Sequence, residues 1–227
     1  MSSGSIRWLT LELMLSLKLM GLGSLAAASP RDEAVVVVHV HDYAEVPKAT
    51  LLDAERTASR IFEKAGVLAV FDNVPGEQTR TREASAGEYQ QPRELPQFHL
   101  NLYSRTKSEE FKVPRTALGL APGAGPDRQT VYIFYDRVQH VFERQLRPTN
   151  DVIYANRAQI LGHAMAHELG HVILNISVHA PQGIMRGEWN EKDLRDAGEG
   201  YLLFTPGQAE VLRAEARRRS GRTVQGD

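Results

Sequence analysis

The apolar stretch from Ile160 to Leu174 of this 227-residue chain contains the pattern H-E-x-x-H. On a helix, residues four apart lie on the same face, about one turn from each other. His167 and His171 can therefore present two imidazoles to one cation, and Glu168 can hold a water beside it. The apolar flanks indicate a helix buried on one side, where histidine and glutamate side chains need polar partners. The stretch predicts a metal site on a helix.

The third protein ligand is not fixed by this motif, since a catalytic zinc takes about three protein ligands and keeps one position for water. His179 follows His171 by eight residues, and Gly183-Ile184-Met185 comes shortly afterwards. His163 extends the row of histidines one turn earlier, but four residues rise by about 6 Å along a helix. We therefore expect His163 to be a neighbour of the site rather than a ligand.

The motif, His179 and the methionine-containing turn resemble the catalytic centre of the metzincin zinc peptidases. The usual metzincin pattern has Gly at position 174 and His at position 177, where this chain has Leu174 and Ser177. The segment is two residues longer here, and Asn175 is the nearest residue that tolerates a left-handed turn. The resemblance implies a Zn²⁺ site with the ligands His167, His171 and His179, the general base Glu168, and the supporting methionine Met185.

The predicted elements indicate an α+β domain. Hydrophobic periodicity predicts strands at 34–40, 67–71, 98–103 and 130–135, and helices at 49–64, 138–146 and from between 151 and 155 to about 174. Residues 75–96 are polar and predict a long loop. Thr205, Pro206 and Gln208 predict a capped C-terminal helix over about 206–218. A strand, a helix and a second strand predict a parallel pair with a right-handed crossover.

This order resembles the matrixin-type metzincin catalytic domain, and the overall layout is similar to that of small exported bacterial proteins. The resemblance implies a twisted mixed sheet with an antiparallel edge strand, and it implies that helix 49–64 backs the active-site helix. The edge strand would be residues 116–121, with Leu118, Gly119 and Leu120 at the substrate. Gly119 would let a peptide backbone come close, and flanking prolines limit the length of this edge.

Composition excludes several other classes of function. The formal net charge is -1, which gives no reason to expect a nucleic-acid partner, and the chain has no cysteine for a thiolate zinc site. Residues 1–28 resemble an export signal, although Glu12 and Lys18 interrupt its apolar core. We therefore expect an exported protein in which residues 29–227 form a single metallopeptidase-like domain. No other stretch reaches the ~20 apolar residues of a membrane span.

The function expected from these features is a zinc-dependent endopeptidase that acts on peptide or protein substrates. One alternative is the thermolysin-like gluzincin arrangement, in which Glu191 would be the third ligand. Gly187 and Asn190 make a long helix there less natural, and that reading leaves His179 without a role. A second alternative is a metal-binding domain of protease fold without catalysis, although such a domain needs no general base at Glu168.

Overall fold

The computed structural model describes residues 34–74, 95–123, 129–146 and 152–222. The predicted leader 1–28 and most of the predicted loop 75–96 lie outside these residues. The described strands are β1 (Val35–Asp42), β2 (Leu68–Asn73), β3 (Gln97–Tyr103), β4 (Gly119–Leu120) and β5 (Thr130–Phe134). The described helices are α1 (Lys48–Lys64), α2 (Arg105–Ser108), α3 (Tyr135–Gln145), α4 (Arg157–Leu174), α5 (Glu191–Glu199) and α6 (Pro206–Arg222).

The strands form one mixed sheet in the order β2-β1-β3-β5-β4. Strand β1 runs parallel to β2 and β3, β3 runs parallel to β5, and β4 is the antiparallel edge. Alternate valines of β1, Val36, Val38 and Val40, are buried, and the side chains between them lie on the other, partly exposed face. The α+β fold with an antiparallel edge strand is confirmed.

Helix α1 packs against α4, as expected for a backing helix. The two backbones approach closely at Gly162, where a Cβ atom would lie 2.5 Å from the carbonyl oxygen of Ala54. The neighbouring residues Leu161 and Met165 are fully buried in the same core. Helix α4 is thus embedded in the protein. Its close packing against α1 and the core fixes the position of the side chains that it presents on its other face.

The first turn of α4 lies later than the sequence predicts. The helix begins at Arg157 because Asn156 and Gln159 form a capping box. The Asn156 side chain accepts from the Gln159 N–H at 2.9 Å, and the Gln159 side chain accepts from the Asn156 N–H at 2.8 Å. The predicted start between residues 151 and 155 is wrong. At the other end, Asn175 adopts the left-handed conformation (φ 55°), which confirms the expected turn.

Three further differences concern short elements. The edge strand comprises only Gly119–Leu120, rather than the predicted 116–121. A helix of nine residues occupies Glu191–Glu199, where the sequence disfavours only a long helix, because Asn190 and Asp193 form a capping box. The C-terminal helix has the predicted Thr205–Gln208 cap and extends to Arg222. Among the described helices, none is long and apolar enough to cross a membrane.

Candidate metal centre and active site

Three histidines converge beside the C-terminal half of α4. His167 and His171 project from the helix and are buried, and the exposed His179 approaches from the following loop. One ring nitrogen from each of the three lies within 4.8 Å of the other two. No other group of three or more His, Asp or Glu side chains within the described ranges has this arrangement.

The hydrogen bonds of His167 and His171 fix the tautomer of each ring. The Nδ1 atom of His167 lies 2.7 Å from the carbonyl oxygen of Ile184, and the Nδ1 atom of His171 lies 3.0 Å from that of Ile176. A carbonyl oxygen only accepts, so both Nδ1 atoms must carry the hydrogen. In a neutral imidazole the Nε2 atom is then a bare acceptor. Both rings therefore present a lone pair at Nε2, as metal-ligating histidines do.

The two Nε2 atoms face each other at 3.1 Å. Two acceptors cannot hydrogen-bond to each other, and burial lowers the pKa of His167 to about 4, which disfavours the imidazolium that could donate. Burial also lowers the pKa of His171. At neutral pH a cation is the partner that this donor set fits. Three imidazoles form a ligand set that suits zinc.

The turn around Gly183 brings the first of these carbonyls into position. Gly183 has φ 73°, a backbone conformation that residues with a side chain rarely adopt. The N–H of the next residue, Ile184, donates to Leu203 O at 2.9 Å. The Ile184 carbonyl consequently points at His167, and the Trp189 indole N–H also donates to it at 3.4 Å. The hydrogen bonds made by these backbone oxygens and by Trp189 cannot be predicted from the sequence, because they depend on how the loop after α4 folds back on the helix.

Met185, the predicted supporting methionine, is fully buried against the same helix. A Cβ atom at Gly170 would lie 2.7 Å from the Met185 sulfur and 2.8 Å from the ring of Phe204. Gly170 lies between the two histidines of the motif in the sequence, so the thioether packs directly on the helix backbone. This contact is compatible with a packing role for Met185.

His179 depends on a second glycine. A Cβ atom at Gly187 would lie 2.8 Å from Nδ1 and 2.9 Å from Cγ of His179. The His179 ring therefore lies on the backbone just after the methionine turn. Its centroid is 5.3 Å from that of His167 and 5.0 Å from that of His171.

Glu168 lies between α4 and the edge strand. Burial raises the pKa of Glu168 to about 8, while the backbone N–H of Ala121 donates to its carboxyl group and opposes that rise. A Cβ atom at Gly119 would lie 2.6 Å from Cγ of Glu168. Gly119 is needed here because Glu168 occupies the space that a side chain would fill. A carboxyl group with a pKa near neutrality is suited to take up and return a proton.

These groups face an open cleft of about 1850 Å³. The volume exceeds the roughly 300–1,000 Å³ of an ordinary small-molecule pocket, so the cleft has room for an extended ligand. The cleft is lined by the predicted edge residues Leu118, Gly119 and Leu120 and also by Gly187 and Trp189. The predicted edge residues and the three histidines therefore share one cleft.

Two residues weighed as ligands lie outside the cluster. Glu191 is exposed at the first turn of α5 and is not part of the converging group. His163 is 1% exposed, and its Nδ1 atom donates to Gln159 O at 2.7 Å. Its Nε2 atom is buried and has no hydrogen-bond partner among the described residues. His163 is thus a buried neighbour, but only one of its two nitrogens is satisfied.

A scan against protein-family models and a search of curated proteins both find no match to this chain.

Proposed function

We propose that the protein is a zinc-dependent peptidase. The observation that carries this proposal is the pair of carbonyl-anchored imidazoles, whose bare Nε2 atoms face each other at 3.1 Å beside a buried glutamate. His167, His171 and His179 would hold the ion. A structural zinc site is usually closed by four protein ligands, whereas three histidines at an open cleft leave a position free.

Each residue has a distinct role in this proposal. Zinc, when bound, supplies Lewis acidity, which makes a water more acidic and a peptide carbonyl more electrophilic. Glu168 takes the proton from the attacking water and returns it to the leaving amine. The N–H of Ala121 orients the Glu168 carboxylate, and the carbonyl oxygens of Ile184 and Ile176 keep two imidazoles in the ligating tautomer.

The substrate in this proposal is an extended peptide. A peptide is held most simply as an added strand, and β4 is the edge of the sheet nearest to Glu168. The open cleft along β4 is compatible with cleavage inside a chain. The signal-like residues 1–28 support export, which would place the substrate outside the cytoplasm.

The test compares metal content and cleavage of unfolded casein in the wild type, Glu168→Gln and the control Glu63→Gln. Glu63 is an exposed carboxylate of α1 that does not line the cleft. We expect Glu168→Gln to retain zinc and lose about 10²–10⁴-fold in rate, while Glu63→Gln stays near the wild type. Activity in Glu168→Gln would remove this residue as the base. A wild type that binds zinc but cleaves no peptide would favour the non-catalytic metal-binding domain.

A further inference from the structure

The edge strand that contacts Glu168 has very little pairing of its own. Strand β4 pairs with β5 only through Gly119↔Ile133 and Leu120↔Tyr132. The Phe134 N–H adds one bond to Leu118 O at 2.9 Å. Such a short pairing is marginal in water without further support. Something outside the sheet must hold the chain that leads into this strand.

Arg137, in the first turn of α3, provides that support. Its Nη1 atom donates to the carbonyl oxygens of Pro114 and Ala117, each at 2.8 Å, and its Nη2 atom donates to Ser108 O at 3.3 Å. These acceptors span the segment between α2 and β4. One guanidinium therefore contacts three points of the chain that enters the edge strand.

The guanidinium is itself held from the strand that pairs with β4. Its Cζ atom lies 4.2 Å from the centre of the Phe134 ring, and Phe134 is the last residue of β5. Burial lowers the pKa of Arg137, but a guanidinium remains charged in proteins. Hydrogen bonds from a charged donor are about twice as strong as neutral ones. Arg137 thus ties the segment before β4 to the end of β5.

We propose that Arg137 is the positioning residue of the edge strand, which it holds against Glu168 and in reach of a peptide substrate. Loss of Arg137 would let residues 114–121 move. The Ala121 N–H would then leave the Glu168 carboxylate, and a bound peptide would lose its partner strand. The structural part of this inference stands on the contacts alone, and the effect on substrate rests on the proposed peptidase function.

The test uses Arg137→Gln, which removes the charge and most donors, and Arg137→Lys, which keeps the charge but loses the planar fork. Arg144→Gln is the matched control, because Arg144 is an exposed arginine near the other end of α3. Amide hydrogen exchange of residues 115–121 should become at least about tenfold faster in Arg137→Gln. Arg137→Lys should lie between Gln and the wild type, with α4 exchange and zinc content unchanged.

Kinetics separate positioning from a general loss of stability. Below the unfolding temperature, Arg137→Gln should raise KM for a peptide by about tenfold or more, because binding depends on the edge strand. Unchanged exchange at 115–121, or faster exchange with unchanged KM, would overturn the inference. If Arg137→Gln fails to fold, the same comparison is made with Arg137→Lys. If the wild type cleaves no peptide, the proposed function fails, and hydrogen exchange alone decides the role of Arg137.

Discussion

On the sheet, the rings of His39, His41 and His99 stack across strands β1 and β3. The centroid of the His99 ring lies 5.3 Å from that of His39 and 5.4 Å from that of His41. At the end of α4, the three ring centroids of the candidate metal centre lie 4.8–5.3 Å apart. Ring separation is therefore almost the same in the two clusters. A count of nearby histidines does not distinguish them.

The partners of the ring nitrogens do distinguish them. His39 contacts the Asp72 carboxylate at 3.3 Å and the Gln97 side chain at 3.2 Å, so both of its nitrogens have partners. The His41 Nε2 and His99 Nδ1 atoms form a pair at 3.1 Å in which one ring can donate to the other. In the α4 cluster, backbone carbonyls occupy the Nδ1 atoms of His167 and His171, so neither of the two facing Nε2 atoms carries a hydrogen to donate. Carbonyl anchors, rather than histidine number, favour a metal site.

The strongest prediction is that the protein loses zinc when a histidine of the α4 cluster is replaced, but not when a histidine of the sheet is replaced. After chelation and reconstitution, zinc should fall from about one per chain to near zero in His171→Ala, because three ligands are the minimum for such a site. The zinc content of His99→Ala should equal that of the wild type. His179→Ala should also lose the metal and Glu191→Ala should retain it, as measured by elemental analysis. Metal loss in Glu191→Ala with retention in His179→Ala would support the gluzincin arrangement instead.

His163 also donates from Nδ1 to a backbone carbonyl, but it is not part of the group of converging histidines. We expect its burial to make the stability of the protein sensitive to acid. Burial lowers its pKa from 6.5 to about 4. The unfolded chain therefore binds this proton first, so its contribution to stability is full above pH 6.5 and is lost as pH falls towards 4. At about 1.4 kcal/mol per pH unit, the loss amounts to about 3 kcal/mol.

His163→Leu should remove that part of the acid sensitivity. The measurement is urea unfolding of the metal-free protein at several pH values between 4 and 7. The exposed His140, changed to Gln, is the control and should leave the pH dependence of the wild type in place. An unchanged slope in His163→Leu would show that this histidine does not titrate as its burial requires.

The next prediction concerns Gly187, which contacts His179, the proposed third ligand. A methyl group at this position would lie 2.8 Å from His179 Nδ1, so the exposed ring must move away. Gly187→Ala should weaken zinc binding by about 10–100-fold, the range found when outer groups of a metal site are disturbed. Stability of the metal-free protein should change little. Gly207→Ala, where the added methyl meets open space, should leave zinc affinity unchanged in a competition titration.

Much of the fold could be predicted because it follows from local patterns. The valine alternation of β1, the periodicity of α1 and the Thr205 cap each identify an element without distant contacts. The two histidines of the motif lie on one face of α4 for the same local reason. Asn175 could also be predicted as the left-handed residue, since few residue types tolerate that conformation.

The remaining features depend on contacts between distant segments. The Ile184 carbonyl reaches His167 only because the loop folds back on Leu203, and Arg137 reaches Pro114 across 23 residues of sequence. The predicted edge strand is too long, because nothing local in the sequence shows that the Pro114 and Ala117 carbonyls accept hydrogen bonds from Arg137. The contact between Gly119 and Glu168 could not be predicted, because the two residues lie 49 positions apart in the chain.

Replacement of Met185 should have only a small effect on stability and none on zinc content. A thioether is a soft and poor ligand for zinc among imidazoles, and the Met185 sulfur packs against the backbone at Gly170. Met185→Leu conserves volume, so it should lower the free energy of unfolding by less than ~1.5 kcal/mol and leave zinc content unchanged. Met165→Leu, a fully buried methionine of α4 itself, is the matched control and should cost a similar amount. Loss of zinc in Met185→Leu alone, or a zinc–sulfur bond in a metal-loaded crystal structure, would show that Met185 is a ligand rather than a packing residue.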